Sequence, residues 1–74
     1  MVVGARVRKL RLDHGLRQED LSKILNIGQA TLSEYERGIL NIPLKTLIAV
    51  AKYFDVDMNY ITCVSKTKAP FPRK

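Results

Sequence analysis

The 74-residue sequence contains one cysteine, one histidine and no tryptophan. A single cysteine, Cys63, excludes an internal disulfide and fits a reducing compartment. His14 has no second histidine, cysteine pair or acidic cluster at the spacing of metal ligands. Glycine-rich phosphate loops are absent, and a chain of this size has little volume for a catalytic cleft. We therefore expect a protein that is not an enzyme and that uses no metal or cofactor.

The sequence also lacks a long apolar run. No stretch reaches the roughly 18 apolar residues of a membrane-spanning helix, so we expect no membrane segment and no signal peptide. A hydrophobic fraction of 46% is enough for one compact core. We expect one domain over residues 1–64, followed over residues 65–74 by a basic tail with two prolines that is extended and flexible.

Acidic residues are few: 7 of them stand against 13 lysines and arginines, which gives a net charge of +6. Residues 1–17 carry five bases and one acid, and residues 66–74 carry four bases and no acid. Residues 18–65, between them, carry four bases and six acids. A basic excess indicates an anionic partner. A solvated surface is the simpler explanation for any one of these charges, whereas the two flanks together are typical of phosphate contacts.

Residues 18–38, QEDLSKILNIGQATLSEYERG, predict two short helices joined by a tight turn. The first helix has apolar residues at helical spacing behind an acidic first turn, and it ends at Asn26, which tolerates a left-handed backbone. The second begins after Gly28, runs to about Arg37 and ends at Gly38, where a left-handed glycine belongs. Two helices joined in this way form a helix-turn-helix.

The outer face of the second helix carries short side chains, including those of Gln29, Ala30 and Ser33. A slim, polar helix face fits the major groove of B-DNA, where base edges present hydrogen-bond donors and acceptors. An ordinary pair of amphipathic helices in a small bundle would show much the same periodicity. The pattern by itself leaves both interpretations open.

Three segments, two of which overlap the stretch just quoted, follow one another along the chain: LRLDHGLRQEDLSKIL, QATLSEYERG and IPLKTLIAVAKYFDV. In order and spacing they resemble the lambda-repressor and Cro-like family of helix-turn-helix regulators, also called the xenobiotic-response-element type, from about Val3 to Ile61. The resemblance implies an all-α, compact five-helix DNA-binding domain in which helices 2 and 3 form the helix-turn-helix. We expect helix 1 over about Val3 to His14. Helix 4 is expected over Leu44 to Phe54, burying Leu44, Leu47, Ala51 and Phe54, and Asp57 is expected to cap a short helix 5.

The resemblance also implies a function. Members of the family bind double-stranded DNA sequence-specifically as small transcriptional regulators, most simply repressors, and commonly as homodimers on palindromic operators. We expect a cytoplasmic protein, encoded by a bacterium, phage or plasmid, that associates with the nucleoid when bound. The family also includes protein-interaction modules, such as antitoxins or bridging factors with weak DNA binding. The exposed position of Ile24, the apolar loop 39–42 and the acidic middle of the chain favour that alternative.

Carried over position by position, the resemblance assigns DNA contacts. The expected base-reading residues are Gln29, Ala30, Ser33 and Glu34. Gln29 can pair with adenine and Ala30 can meet a thymine methyl group, whereas Glu34 can accept from cytosine, exclude wrong sequences or point into solvent. The expected phosphate contacts are Arg17, Gln18, Thr31, Arg37, Asn41 and Lys45. Tyr35 either packs its ring on the core or donates from its hydroxyl to a phosphate.

Three further expectations concern stability and assembly. The resemblance implies a partly buried ion pair between Arg11 and Glu36, which would join helix 1 to helix 3. Arg17 stands where the family usually has a serine or threonine helix cap, which would cost about 1 kcal/mol of capping. The apolar residues expected to be exposed, and thus to form a symmetric dimer surface, are Leu40, Ile42, Met58, Tyr60 and Ile61.

Overall fold

The computed structural model describes residues 3–62. This part of the chain contains five α-helices and no β-strand, which confirms the all-α prediction. The helices are α1 (Val3–Asp13), α2 (Gln18–Leu25), α3 (Gln29–Glu36), α4 (Leu44–Phe54) and α5 (Met58–Ile61). Cys63 and the predicted tail over residues 65–74 lie outside the described residues, so the predicted domain boundary stays a prediction.

Helices α1 to α4 all end in the same way. The residue that follows each helix, or lies one beyond it, has a positive φ: 68° at Gly15, 58° at Asn26, 77° at Gly38 and 55° at Asp55. The amide of the next residue then donates to the carbonyl five positions earlier, at 2.9 to 3.1 Å. This pattern satisfies carbonyls that the helix leaves free, and it turns the chain sharply toward the next helix.

The residue directly after each of these turns is apolar. Leu16 and Ile27 pack against the core, and Val56 is part of it. An apolar side chain in this position normally covers the last turn of the helix that has just ended. Ile39, which follows α3, is the exception, since 59% of it is exposed.

The core lies where the five helices meet. Helix α1 packs on α3 and α5, α2 packs on α3 and α4, and α4 packs on α5. The buried apolar residues of this core are Val7, Leu10, Leu21, Leu32, Val50, Ala51, Phe54, Val56, Tyr60 and Ile61. The expected burial of Leu44 is wrong, because this residue is 66% exposed. It starts α4 beyond the edge of the core, and the apolar stripe that packs begins one turn later, at Leu47.

Tyr60 and Ile61 also differ from the prediction. They are 3% and 0% exposed, so they belong to the core and the expectation that they form a dimer surface is wrong. The side chain of Arg6 explains the burial of Tyr60, because its guanidinium carbon lies 4.1 Å from the centre of the tyrosine ring. This cation–π contact joins α1 to α5. As predicted, Asp57 caps α5: its carboxylate accepts from the Tyr60 amide at 2.9 Å.

Helices α1 and α3 approach each other closely at Gly4. A Cβ atom at this position would collide with the carbonyl oxygen of Tyr35. Only glycine therefore allows the two backbones to come this close. The contact sets how deeply α3 sits against α1.

We expect the substitution Gly4→Ala to lower the free energy of unfolding by about 3 kcal/mol, because the added methyl group must push two backbones apart. Urea denaturation followed by circular dichroism measures the loss. Gly28→Ser is the matched control, since a Cβ there meets only the Thr31 hydroxyl oxygen, at 3.7 Å. The control should leave stability unchanged or slightly raised, because serine is a good helix cap. Equal stabilities for the two variants would contradict the close approach of α1 and α3.

Candidate nucleic-acid interface

Helices α2 and α3 are separated by three residues, Asn26, Ile27 and Gly28. The left-handed Asn26 ends α2, Ile27 packs against the core, and Gly28 precedes α3 with an extended backbone. Leu21 of α2 and Leu32 of α3, both fully buried, hold the inner sides of the two helices in the core. The sequence therefore builds two helices whose mutual orientation is set by a tight turn and by shared packing.

The outer side of α3 is open. Gln29 and Ala30 are exposed, whereas Thr31, Ser33 and Glu34 are half-buried. Within the described residues, the side chains of Gln29 and Glu34 form no hydrogen bond or ion pair. The amide of Gln29 thus keeps both donor and acceptor available at the beginning of α3. These residues are in a position to meet a ligand that offers a row of donors and acceptors.

The predicted ion pair between Arg11 and Glu36 is confirmed and is almost completely buried. Arg11 Nε donates to Glu36 Oε2 at 2.8 Å, and its Nη2 donates to Oε1 at 3.0 Å. The side chains are 7% and 0% exposed. A third bond, from Arg11 Nη1 to the carbonyl of Leu16 at 2.9 Å, holds the segment between α1 and α2. A bidentate ion pair of this kind allows little variation in the relative orientation of its two side chains, and it fixes the end of α3 on α1.

Gln18, expected to contact phosphate, has a protein partner in the structure. Its Nε2 donates to Glu36 Oε1 at 3.2 Å, and the side chain is partly buried. No local sequence pattern indicates this contact, because the two residues are 18 positions apart in different helices. Glu36 thus accepts from both α1 and α2.

Arg17 precedes α2 with an extended backbone and has no acceptor atom with which to cap the helix. Asp20 compensates in part, because its carboxylate accepts from the Arg17 amide at 2.9 Å. This hydrogen bond, with the Arg17 charge adding to it, holds the pKa of Asp20 below its usual value. The contact therefore stabilises the fold above the unfolded pKa of Asp20 and is lost as the pH falls through the lower, folded pKa.

The Arg17 side chain is 75% exposed and pairs with two carboxylates. Its Nη2 lies 2.9 Å from Glu19 and its Nε lies 3.5 Å from Asp20. An anionic ligand at this position would have to compete with both carboxylates. Arg17 is therefore less available to a phosphate than its charge alone would suggest.

The remaining residues expected to contact phosphate lie on α3 or after it. Arg37, directly after α3, is exposed, and its Nε donates to the carbonyl of Ser33 at 3.4 Å. Asn41 and Lys45 are both exposed, in the loop and in the first turn of α4. Tyr35 is half-buried outside the core cluster, and it lines a groove instead.

Sequence reasoning missed two features around the interface, the exposure of Leu44 and the burial of Arg6. A helix-start position could have signalled the exposure of Leu44. Within residues 3–62, no group of three or more histidine, cysteine, aspartate or glutamate side chains could hold a metal ion. None of the helices in that range is long and apolar enough to cross a membrane.

The fold and the site together define a helix-turn-helix domain: two packed helices joined by a three-residue turn, the second with an open polar face. The helix-turn-helix family model matches residues 7–61, and the chain belongs to this family.

Among its relatives, the uncharacterized transcriptional regulator YobD of Bacillus subtilis is 32% identical over 68 residues, which are 92% of this chain and 59% of YobD. The cryptic phage CTXphi transcriptional repressor RstR of Vibrio cholerae is 29% identical over 63 residues, 85% of this chain and 57% of RstR. A solved structure, the restriction-modification controller protein C.AhdI of Aeromonas hydrophila, is 29% identical with a TM-score of 0.72. The match covers 80% of this chain and 89% of C.AhdI. The chain spans between 14% and 59% of the length of its curated relatives.

Replacing Arg11 by methionine should leave the Glu36 carboxylate buried without a counter-charge, and we expect a loss of about 3–5 kcal/mol of unfolding free energy. Urea denaturation at neutral pH measures it. Adding Glu36→Leu removes both charges and should recover much of the loss, so the test remains readable if the single variant does not fold.

Lys9→Met in the same helix is the matched control. It breaks an exposed pair with Asp13, at 3.1 Å, and should change stability by no more than about 0.5 kcal/mol. If the Arg11 and Lys9 variants lose the same amount, the buried pair does not hold α3.

Proposed function

We propose that this protein is a small transcriptional regulator, most simply a repressor, that binds double-stranded DNA sequence-specifically. The observation that carries the proposal is the open polar face of α3, which is anchored from behind by the buried Arg11–Glu36 pair. A reading helix must present its donors and acceptors in a fixed orientation, because base discrimination depends on hydrogen-bond geometry. The protein acts by binding alone, without catalysis, in the cytoplasm where the DNA lies.

In this proposal α3 lies in the major groove. Gln29 and Ala30, exposed at its beginning, approach base edges first, followed by Ser33 and Glu34 one turn later. Gln29 can form two hydrogen bonds with adenine, and the methyl group of Ala30 can pack on that of thymine. The Glu34 carboxylate, which has no partner within residues 3–62, accepts from cytosine or repels sequences that place acceptors near it. Bound at a promoter, the protein would block polymerase.

Phosphate contacts set the register of the reading helix. The exposed residues Arg37, Asn41 and Lys45 follow one another from the end of α3 to the first turn of α4. The free amides in the first turn of α2 also suit a phosphate. The transcriptional repressor RstR and the controller protein C.AhdI, both relatives by sequence or fold, support a regulatory role for this chain.

The proposal is tested by selecting preferred duplexes from a random DNA library and then titrating the selected duplex at several salt concentrations. We expect the protein to bind the selected duplex ~10³-fold or more tighter than random DNA. Equal binding to all sequences, collapsing as salt rises, would mean that only the basic residues act and would contradict the proposal.

We expect Gln29→Ala to cost about 1–3 kcal/mol of binding to the preferred duplex and to relax the preference at one position. The reason is that alanine can make neither of the two hydrogen bonds to the base. Lys45→Ala is the control for a phosphate contact, and it should weaken binding to all duplexes alike. It should also make the slope of log affinity against log salt concentration shallower by about one. A uniform loss in the Gln29 variant would show that this residue contacts the backbone instead.

We also propose that two copies form a symmetric dimer, which would double the DNA contacts and favour a palindromic operator. Leu40, Ile42 and Met58 remain from the predicted surface, the first 44% exposed and the other two half-buried. Exposed Ile39 and Leu44 extend it. Leu40 and Ile42 also line a groove of about 450 Å³, which lies between the start of α1, the end of α3 and the loop 39–42. This groove could receive a partner's side chain.

The double variant Leu40→Ser and Leu44→Ser should weaken self-association by at least about tenfold, because it removes two exposed leucines from the interface. Sedimentation equilibrium measures the effect. Leu12→Ser with Ile24→Ser is the control, since these residues are similarly exposed, at 49% and 42%, on α1 and α2. An equal effect in both variants, or a monomer at every concentration, would contradict this surface.

A second candidate function is that of a protein-interaction module that binds DNA only weakly. The specific observation in its favour is the amount of exposed apolar surface, which includes Ile24 on α2 as well as Ile39 in the loop. Weak DNA binding without sequence preference, together with tight binding to a protein partner, would favour this function over transcriptional control.

A further inference from the structure

The two helices of the helix-turn-helix are connected at both ends. The chain joins the end of α2 to the start of α3 through residues 26–28. The first residue of α2, Gln18, is joined to the last residue of α3, Glu36, by the 3.2 Å hydrogen bond between their side chains. A bond between the remote ends restricts rotation of α3 about the turn, which the turn alone does not prevent.

The chemistry of Glu36 fixes the orientation of the Gln18 amide. An ionised carboxylate only accepts hydrogen bonds, so the amide nitrogen of Gln18 must face it and the amide oxygen must face away. Both oxygens of Glu36 already accept from Arg11, whose Nε and Nη2 donate to Oε2 and Oε1. With one N–H of Gln18 held in this way, the protein sets the position of the amide, and its second N–H is the donor left for a ligand.

We propose that Gln18 is a positioning residue, which holds α3 at a fixed angle to α2 and thereby governs sequence discrimination, a role beyond the phosphate contact expected from the sequence. The inference rests on the proposed DNA-binding function. In that proposed function, amides in the first turn of α2 bind a phosphate, whereas α3 reads the bases. The Gln18–Glu36 bond keeps these two groups of contacts in register.

The substitution Gln18→Met tests this, because methionine has nearly the same length and shape but no donor. We expect the melting temperature of the free protein to fall by about 5 °C or more, since a hydrogen bond to a buried carboxylate is lost. We also expect the ratio of affinities for the preferred and the random duplex to fall about tenfold, because α3 is no longer aligned with the bases.

Gln29→Met is the matched control. It removes the same atoms from a residue that is exposed and has no hydrogen-bond partner within residues 3–62. Its melting temperature should not change, although discrimination should fall because a base contact is lost. The two glutamine variants therefore differ in stability and resemble each other in discrimination.

Two outcomes would overturn the inference. A purely structural role lowers the folded fraction and scales both affinities equally, so a lower melting temperature with an unchanged ratio would contradict positioning. A phosphate contact weakens both duplexes equally without a loss of stability. Failure of the proposed function is distinguishable, because the unmodified protein would then show no preference among duplexes, while the melting temperature would still report on the Gln18–Glu36 bond.

Discussion

The structure depends on one buried carboxylate. Glu36 is the last residue of α3, its side chain is fully buried, and it accepts hydrogen bonds from Arg11 on α1 and Gln18 on α2. Such a charge is tolerated inside a small protein only when its oxygens are fully satisfied. Because these three residues must meet at one point, the end of α3 is fixed relative to two other helices.

Close packing complements this ionic anchor. At the start of α1, the absence of a side chain on Gly4 lets the backbone of α3 approach, and at the end of α1, Arg11 holds Glu36. Helix α1 thus contacts the end of α3 at two points: the start of α1 does so by van der Waals packing, and the end of α1 does so by hydrogen bonds. The inner side of α3 packs against the protein, and the side with Gln29 and Ala30 remains exposed.

Local chemistry made the helix ends predictable. Asn26 and Gly38 are residues that accept a positive φ, and Asp57 is a strong helix cap, so short stretches of sequence were enough to place them. The ion pair between Arg11 and Glu36 came from the family resemblance, since 25 positions separate the two residues and no local pattern joins them.

Burial was harder to predict where a helix is short or is just beginning. Helix α5 has four residues, too few for an apolar periodicity to show which side faces inward, and Tyr60 and Ile61 were accordingly misplaced on the surface. Leu44 fits the apolar pattern of α4 but precedes the part of the helix that packs. The partner of Gln18 depends on how α2 and α3 meet, which is a property of the assembled fold.

The most direct test of the central claim is a nuclear magnetic resonance study of the protein bound to its selected duplex. If α3 lies in the major groove, the methyl group of Ala30 should show Overhauser contacts with major-groove protons, such as thymine methyl groups or cytosine H5. Amides in the first turn of α2 should shift on binding as well. Contacts made by other helices alone, with α3 unperturbed, would contradict the assignment of α3 as the reading helix.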